Sequence, residues 1–160
     1  MHFRTADLCD DHDENLHIAE GLFGDFGGLD SFFGRISTIK AYEDNSLVRE
    51  AVAEPGEGRV LVIDGGGSMR RAMLGDLLAE KAIHQGWSGV VIHGCVRDSM
   101  VIADMPLGVK ALGTAPRKSE KRGQGVRDVT VHFADIDFVP GHWLYADGDG
   151  IVVSAQKLVG

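Results

Sequence analysis

The sequence predicts a single α/β domain with a central mixed sheet, and three observations support this fold class. Residues 59–64 and 89–93 are continuous apolar segments, which indicates strands buried on both faces. Between them, residues 75–84 have the spacing of an amphipathic helix. This order predicts two parallel strands joined by a right-handed crossover. The last third of the chain contains short apolar segments between turn residues, which indicates further strands.

The N-terminal region predicts few regular elements. Residues 1–20 are acidic but lack the spacing and loop glycine of an EF-hand, so a solvated helix or turn is expected. Residues 21–34 are rich in glycine and phenylalanine and predict a loop whose aromatic side chains anchor it to the core. Residues 36–42 predict a strand, and Asp44 or Asn45 can cap the helix that follows it. That helix is expected to bury four apolar residues: Leu47, Val48, Ala51 and Val52.

The central helix and the C-terminal strands follow from the same kind of pattern. In the helix predicted over residues 75–84, four apolar residues fall on one face, and Gly86 can end it. These four are Leu74, Leu77, Leu78 and Ala82. Short strands are predicted at residues 109–112, 128–133, 136–138, 143–145 and 151–154.

Composition limits the classes of function. The 160 residues suit one domain spanning residues 1–160, and their net charge of −8 argues against direct nucleic-acid binding. The chain has only two cysteines, Cys9 and Cys95, and no apolar run near the length of a membrane span. A cytoplasmic protein without a disulfide framework is therefore expected.

The loop Gly65-Gly66-Gly67 resembles the first motif of methyltransferases that bind S-adenosylmethionine, and loosely a dinucleotide-binding loop. The third glycine of the G-x-G-x-x-G pattern is replaced by Arg70, although helix packing at that point needs a small residue. A tight turn after a strand is the better interpretation. The seven histidines show no zinc-binding spacing.

Two short segments predict a site for a small anion. Gly75-Asp76-Leu77-Leu78 opens the central helix, where free backbone N–H groups can bind an anion. Arg97 offers a planar fork for a carboxylate, and Asp98 offers a hard oxygen for a divalent cation. Each segment alone is also compatible with an ordinary helix start or a surface ion pair. Because both follow parallel strands, they are expected to converge at one edge of the sheet, as in a pocket for a metal-chelating 2-oxo acid.

The one basic cluster, residues 117–122 with Arg127 nearby, leaves two interpretations open. It is either a solvated loop or a means of attracting anionic substrate to a neighbouring site.

Seven segments distributed over nearly the whole chain together carry a family resemblance. They are Thr5-Ala6-Asp7-Leu8, Phe26-Gly27-Gly28, Tyr42-Glu43-Asp44-Asn45, residues 60–68, Gly75-Asp76, Gly94-Cys95-Val96-Arg97-Asp98 and Tyr145-Ala146-Asp147. With these segments the chain resembles the family of regulator of ribonuclease activity A and its relatives, the 4-hydroxy-4-methyl-2-oxoglutarate aldolases.

The resemblance implies a β/β/α swivelling-type domain assembled as a ring-shaped homotrimer. It implies that Gly75–Leu78 bind substrate through backbone amides, that Arg97 contacts substrate in the reaction, and that Asp98 holds a divalent metal, Mg or Mn. The family enzymes are class II aldolases that also decarboxylate oxaloacetate. Other members regulate ribonuclease E without known catalysis, so both a lyase and a regulatory binding protein remain open; retention of Asp98 favours the lyase.

Overall fold

Ten strands of the computed structural model form one mixed sheet, and the structure describes residues 2–159. The helices are α1 (Thr5–His12), α2 (Ser46–Val52), α3 (Asp76–His84) and α4 (Ser99–Ile102). The strands are β1 (His17–Ile18), β2 (Gly24–Asp25), β3 (Phe32–Lys40), β4 (Val60–Asp64), β5 (Ala72–Leu74), β6 (Gly89–Val96), β7 (Gly108–Thr114), β8 (Val126–Arg127), β9 (Val131–Phe133), β10 (Ile136–Phe138), β11 (Trp143–Asp147) and β12 (Gly150–Ser154). None of the helices within residues 2–159 has the length and apolar character to cross a bilayer.

The centre of the sheet is parallel and its flank is antiparallel. Strands β3, β4, β6 and β7 lie side by side in parallel, and β5 is a further parallel partner of β6. From β3 the sheet continues through β11, β12 and β1 in antiparallel pairing. A separate hairpin is formed by β9 and β10. The predicted α/β domain with a central mixed sheet, including its parallel strand–helix–strand unit, is confirmed.

Both faces of the central strands are buried, which explains their continuous apolar sequence. Leu61 and Ile63 of β4 belong to a core that also contains α2 and α3 residues. Val60 and Val62, whose side chains alternate with them, belong to a second core with residues of β9, β10 and β11. Burying a side chain of this size contributes about 1.5–3 kcal/mol. The strand therefore lies between two layers rather than at the surface.

The structure corrects the predicted loop at residues 21–34. Strand β2 lies inside it, and β3 begins at Phe32 rather than at residue 36. A Cβ atom added to Gly89 would lie 2.3 Å from Cδ2 of Phe32, and one added to Gly108 would lie 2.0 Å from Cδ1. The ring of Phe32 thus fills space that only two glycines on neighbouring strands leave open. The sequence around Phe32 does not indicate its contacts with Gly89 and Gly108, which lie far away in the chain.

Other boundaries also differ from the prediction. Leu74 lies in the unpredicted strand β5, and Leu77, expected in the core, is 71% exposed. The helix buries Leu78, Ala79 and Ala82, so Leu77 lies outside its buried face. The strand expected over residues 128–133 is limited to β9, since Asp128 has a φ of 60°.

Asp147 fastens the N-terminal helix to the sheet. Its carboxylate accepts hydrogen bonds from the backbone N–H of Thr5 at 2.7 Å, the Thr5 hydroxyl at 2.6 Å and the N–H of Asp149 at 3.0 Å. Burial acts to raise the pKa of Asp147, but these hydrogen bonds outweigh it and the pKa lies below its ordinary value. The carboxylate is therefore charged in the folded protein at neutral pH.

We expect Asp147→Asn to lower the free energy of unfolding at pH 7 by about 1–3 kcal/mol, because a neutral amide is a weaker acceptor for these donors. The folded-state pKa lies below the unfolded-state value, so the stabilisation is present above about pH 4 and is lost as pH falls through the folded pKa. Urea unfolding across a pH series measures this, with Asp149→Asn as the control in the same turn. An equal deficit at pH 7 and pH 2 would contradict the assignment.

Candidate active site

Two parallel neighbouring strands bring the predicted site residues together. Leu74 at the end of β5 pairs with Val96 at the end of β6, and the N–H of Arg97 donates to the carbonyl of Leu74 at 2.9 Å. Gly75 and Arg97 consequently leave the sheet side by side. The predicted convergence at one edge is present, but it is reached through a short strand, where the sequence suggested a loop.

Gly75 is required by its neighbours rather than by its backbone conformation. Its φ of −124° and ψ of −172° are extended values that any residue adopts. A Cβ atom at this position would lie 2.8 Å from Oδ2 of Asp98 and 3.4 Å from Nε of Arg97. A larger residue at this position would therefore push the carboxylate of Asp98 away from the start of α3.

Asp98 is held in a left-handed conformation, with φ 56° and ψ 36°, at the residue that precedes α4. Short polar residues tolerate this conformation better than most. Its Oδ2 accepts a hydrogen bond from the N–H of Asp76 at 3.0 Å. No hydrogen bond to Oδ1 occurs within the part of the chain that the structure describes. The carboxylate is thus oriented toward α3 with one oxygen available.

The first turn of α3 offers unpaired backbone donors. Its hydrogen bonding begins with the N–H of Ala79, which donates to the carbonyl of Gly75 at 3.0 Å, while Asp98 occupies the N–H of Asp76. The N–H groups of Leu77 and Leu78 have no acceptor among residues 2–159. Leu77 thus presents a free amide at the site, although its side chain faces solvent.

Arg97 is partly buried and forms no ion pair with a carboxylate among the described residues. Its guanidinium is therefore available to a ligand. Together with the free amides of α3 and the carboxylate of Asp98, it lines a cavity of about 410 Å³. This volume lies within the usual range for small-molecule sites.

The same cavity contains residues that the sequence did not assign to the site. Asn45 and Arg49 reach it from the start of α2, and Lys118 and Lys121 reach it from the loop after β7. Asn45 is buried, and its Oδ1 has no hydrogen-bond donor within residues 2–159. The concentration of basic residues at 117–122 in an acidic chain was the only signal in the sequence for this part of the lining.

The basic loop is fixed against the body of the protein. The carboxylate of Asp44 accepts hydrogen bonds from the N–H of Ser46 at 2.9 Å, Arg122 at 2.7 Å and Gln124 at 3.4 Å. The buried hydroxyl of Ser119 donates to the carbonyl of Ala72 at 2.7 Å. Burial acts to raise the pKa of Asp44, but the N–H donors lower it overall. The loop after β7 is therefore attached to both α2 and β5.

The glycine loop after β4, residues 65–67, packs against neighbouring side chains. A Cβ atom at Gly66 would lie 2.6 Å from Cδ1 of Tyr42, and one at Gly67 would lie 3.2 Å from Cε1 of His93. The Ser68 hydroxyl donates to Glu43 at 2.5 Å and closes the loop. These contacts support its interpretation as a tight turn.

Metal-binding side chains are sparse. Within residues 2–159, no group of three or more His, Cys, Asp or Glu side chains is placed to hold a metal ion. Any cation at Asp98 would therefore depend on ligands from water or substrate for most of its coordination shell.

Comparison with known proteins identifies relatives over the full length. The family described as RraA-like (Aldolase/RraA) matches residues 5–153. A protein of Alkalilimnicola ehrlichii with the provisional name 4-hydroxy-4-methyl-2-oxoglutarate aldolase is 58% identical over 159 residues, 99% of each chain. The Thermus thermophilis RNA-processing inhibitor RraA superposes with a TM-score of 0.95 at 42% identity, covering 100% of this chain and 97% of that chain. A Geobacillus kaustophilus protein named S-adenosylmethionine:2-dimethylmenaquinone methyltransferase gives 0.94 at 49% identity, covering 98% and 97%.

We expect Gly75→Ala to displace the carboxylate of Asp98, because the added methyl group would lie 2.8 Å from Oδ2. The N–H of Asp76 should then lose its acceptor and exchange with deuterium faster, while the melting temperature changes little. Gly21→Ala is the matched control, since nothing lies within 4 Å of its added Cβ. Unchanged exchange at Asp76 would show that Asp98 does not depend on the missing side chain at residue 75.

Proposed function

Because the chain belongs to the RraA-like family, we propose that it is a divalent-metal-dependent lyase that cleaves 4-hydroxy-4-methyl-2-oxoglutarate to pyruvate and also decarboxylates oxaloacetate. The observation that carries this proposal is the convergence, in one cavity, of free backbone amides, an unpaired guanidinium and a carboxylate. The amides and the guanidinium suit the carboxylate of a 2-oxo acid, and the carboxylate of Asp98 suits a divalent cation. The provisional name of the Alkalilimnicola relative points to the same chemistry.

The substrate carboxylate is proposed to bind the N–H groups of Leu77 and Leu78. These donors have no protein acceptor among residues 2–159, and they lie at the positive end of the α3 dipole. The guanidinium of Arg97 adds a planar, permanently charged donor pair beside them. A small acid held at both points would be fixed in orientation as well as position.

Asp98 fits the proposed role of ligand to Mg or Mn. A carboxylate oxygen is a hard ligand, and Oδ1 is left free by the hydrogen bond that orients Oδ2. Magnesium commonly binds one or two carboxylates, with waters and substrate completing its shell, so the sparse set of protein ligands is compatible with it. When bound, such a cation would supply Lewis acidity at the keto oxygen of the substrate.

The proposed chemistry gives Arg97 a part in the reaction. When the bond between carbons 3 and 4 of the aldol substrate breaks, the carbon-4 hydroxyl gives its proton to water and becomes the keto group of a second pyruvate; in oxaloacetate the carbon-4 carboxylate leaves as carbon dioxide. In both cases the electron pair stays on carbon 3 as the enolate of pyruvate, which then takes up a proton from water at that carbon. Negative charge develops on the former keto oxygen, and a preorganised guanidinium stabilises it. Both reactions pass through the same species, which is why one site can catalyse both.

A methyltransferase function is not favoured for this chain. The methyltransferase name of the Geobacillus protein describes that protein and does not by itself assign the activity to this chain. Here the side chain of Arg70, at the position of the motif's third glycine, donates to Glu43 at 2.8 Å and to Tyr42 at 2.9 Å. Arg70 therefore packs against the protein itself at the position where the motif requires a glycine.

Regulation of an RNA-degrading enzyme is the second candidate function. It is supported by the likeness to the Thermus RNA-processing inhibitor and by an acidic surface along α1 and the turn after it. The carboxylates of this surface are all exposed: Asp7, Asp10, Asp11, Asp13 and Glu14. Such a surface would bind a basic segment of a protein such as ribonuclease E, and the binding would weaken as salt rises.

A homotrimer with the site near a subunit boundary is also proposed. The large apolar side chains beside the site support it, since Leu77, Met100 and Val101 are 71%, 87% and 50% exposed in the single chain. We expect sedimentation equilibrium to give three times the 17.2 kDa of one chain. A mass of 17.2 kDa at micromolar concentration would refute the assembly.

We expect Asp98→Ala to reduce magnesium-dependent oxaloacetate decarboxylation by about 100-fold or more, because the only protein carboxylate proposed to hold the cation is lost. Initial rates with and without magnesium, for wild type and variant, measure this. Asp104→Ala, an exposed carboxylate shortly after α4, is the control. Turnover of the variant at the wild-type rate would exclude Asp98 as the metal ligand.

The same pair of proteins separates the two candidate functions. Capture of ribonuclease E by wild type and Asp98→Ala alike, weakening with salt, would support a regulatory role that does not need the metal ligand. If wild type turns over oxaloacetate but captures no ribonuclease E, only the lyase function is supported.

A further inference from the structure

Two sulfur atoms meet beside the strand that leads into the candidate site. The thiol of Cys95 donates to the thioether sulfur of Met69 across 3.4 Å. Cys95 lies in β6, shortly before Arg97, and pairs with Ala72 of β5 and Gly113 of β7. Such a contact is ordinary packing when both sulfur atoms are buried, but these two residues differ in their exposure.

Met69 faces solvent on one side and Cys95 on the other side of the contact does not. Met69 is 52% exposed, whereas Cys95 is 0% exposed. Burial raises the pKa of the Cys95 thiol, so it is protonated at neutral pH and unreactive as it stands. A thioether carries no proton and reacts with a peroxide directly. Met69 is therefore the member of the pair that an oxidant in solution reaches first.

Gly113 provides the space in which the end of the Met69 side chain lies. A Cβ atom added to Gly113 would lie 2.8 Å from Cε of Met69 and would meet no other residue within 4 Å apart from its chain neighbours. The terminal methyl group thus lies over β7, while the sulfur lies over Cys95 of β6. One half-exposed side chain consequently covers the buried thiol.

The backbone around Met69 is fixed, so its side chain is the part that can move. The hydroxyl of Ser68 donates to the carboxylate of Glu43 at 2.5 Å, and Nε of Arg70 donates to the same oxygen at 2.8 Å. These two contacts hold the residues on either side of Met69. A chemical change at the thioether would therefore displace the side chain without releasing the loop that carries it.

The other methionines among residues 2–159 lack this combination of exposure and contact. Met73 is buried, and its sulfur accepts a hydrogen bond from the hydroxyl of Ser119 at 3.2 Å. Met105 is partly buried against the first core. Met100 is 87% exposed and lies outside the contact with Cys95. Met69 alone, within this part of the chain, joins solvent to a buried thiol.

We propose that Met69 is an oxidation site whose conversion to the sulfoxide uncovers the thiol of Cys95. The sulfur lone pair attacks one oxygen of hydrogen peroxide, the O–O bond breaks, and the other oxygen leaves as water, so that sulfur is oxidised and the peroxide is reduced. The sulfoxide is polar, and keeping it against a buried thiol and the sheet would cost desolvation free energy. The side chain therefore turns into solvent and leaves Cys95 accessible. This proposal does not depend on the lyase function.

Labelling of Cys95 with N-ethylmaleimide tests the proposal in a Cys9→Ser background, where Cys95 is the only cysteine of the chain. Hydrogen peroxide treatment is followed by dithiothreitol, which restores an oxidised thiol but leaves methionine sulfoxide in place, and the dithiothreitol is then removed. We expect slow labelling before treatment and several-fold faster labelling after it, in proportion to the Met69 sulfoxide measured by peptide mass spectrometry. Rapid labelling of the untreated protein would overturn the proposal, because Cys95 would then not be covered.

Three methionine variants in the same background locate the effect. Met69→Leu keeps a side chain of similar size that a peroxide does not oxidise, so its labelling should stay slow after treatment. Met69→Ala shortens the cover and should label rapidly without peroxide. Met100→Leu removes the more exposed methionine outside the contact and should retain the peroxide effect.

The contrary outcomes are equally specific. A peroxide effect that persists in Met69→Leu, slow labelling of Met69→Ala, or Met69 sulfoxide without faster labelling of Cys95 would each overturn the proposal. Oxidation of Met100 with Met69 left intact under the same treatment would also overturn it, since Met69 would then not be an oxidation site.

Discussion

The pairing of β5 with β6 is the constraint on which the candidate site depends. The hydrogen bond from the N–H of Arg97 to the carbonyl of Leu74 fixes the register at the edge of the sheet. The chain after β5 enters α3 at once, so free helix amides lie beside the guanidinium and carboxylate that follow β6. A shift of one residue in this register would turn those side chains to the opposite face. Gly75 then permits the contact that the register creates.

The electrostatic character of the site comes from a different set of interactions. Asp44, buried and charged, binds the loop after β7, and Ser119 ties the same loop to β5. These polar contacts bring lysines to a cavity whose other wall belongs to α2 and α3. Basic residues outnumber carboxylates in the lining of this cavity although the protein as a whole is acidic, and such an excess would attract anionic ligands.

The parts of the protein far from the site are fastened by buried polar contacts too. Lys110 is almost fully buried, pairs with Asp25 at 2.9 Å and donates to the carbonyl of Asp147 at 2.7 Å. Asp147 in turn binds the start of α1. The N-terminal helix, the edge strand β2 and the β11–β12 turn thus meet at one node. These contacts therefore join segments from both ends of the chain.

The sequence by itself determined the central strands, the helix between them and the approach of Gly75–Leu78 to Arg97 and Asp98. A strand buried on both faces has a continuous apolar sequence, and the order of strands and helices follows directly from the order of such segments. Only the tertiary structure decided that β5 exists, that Leu77 is exposed, that Phe32 begins a strand, and that Arg49 and Asn45 line the cavity. Those features depend on contacts between segments far apart in the chain, such as Asp44 with Arg122, and no periodicity within either segment records them.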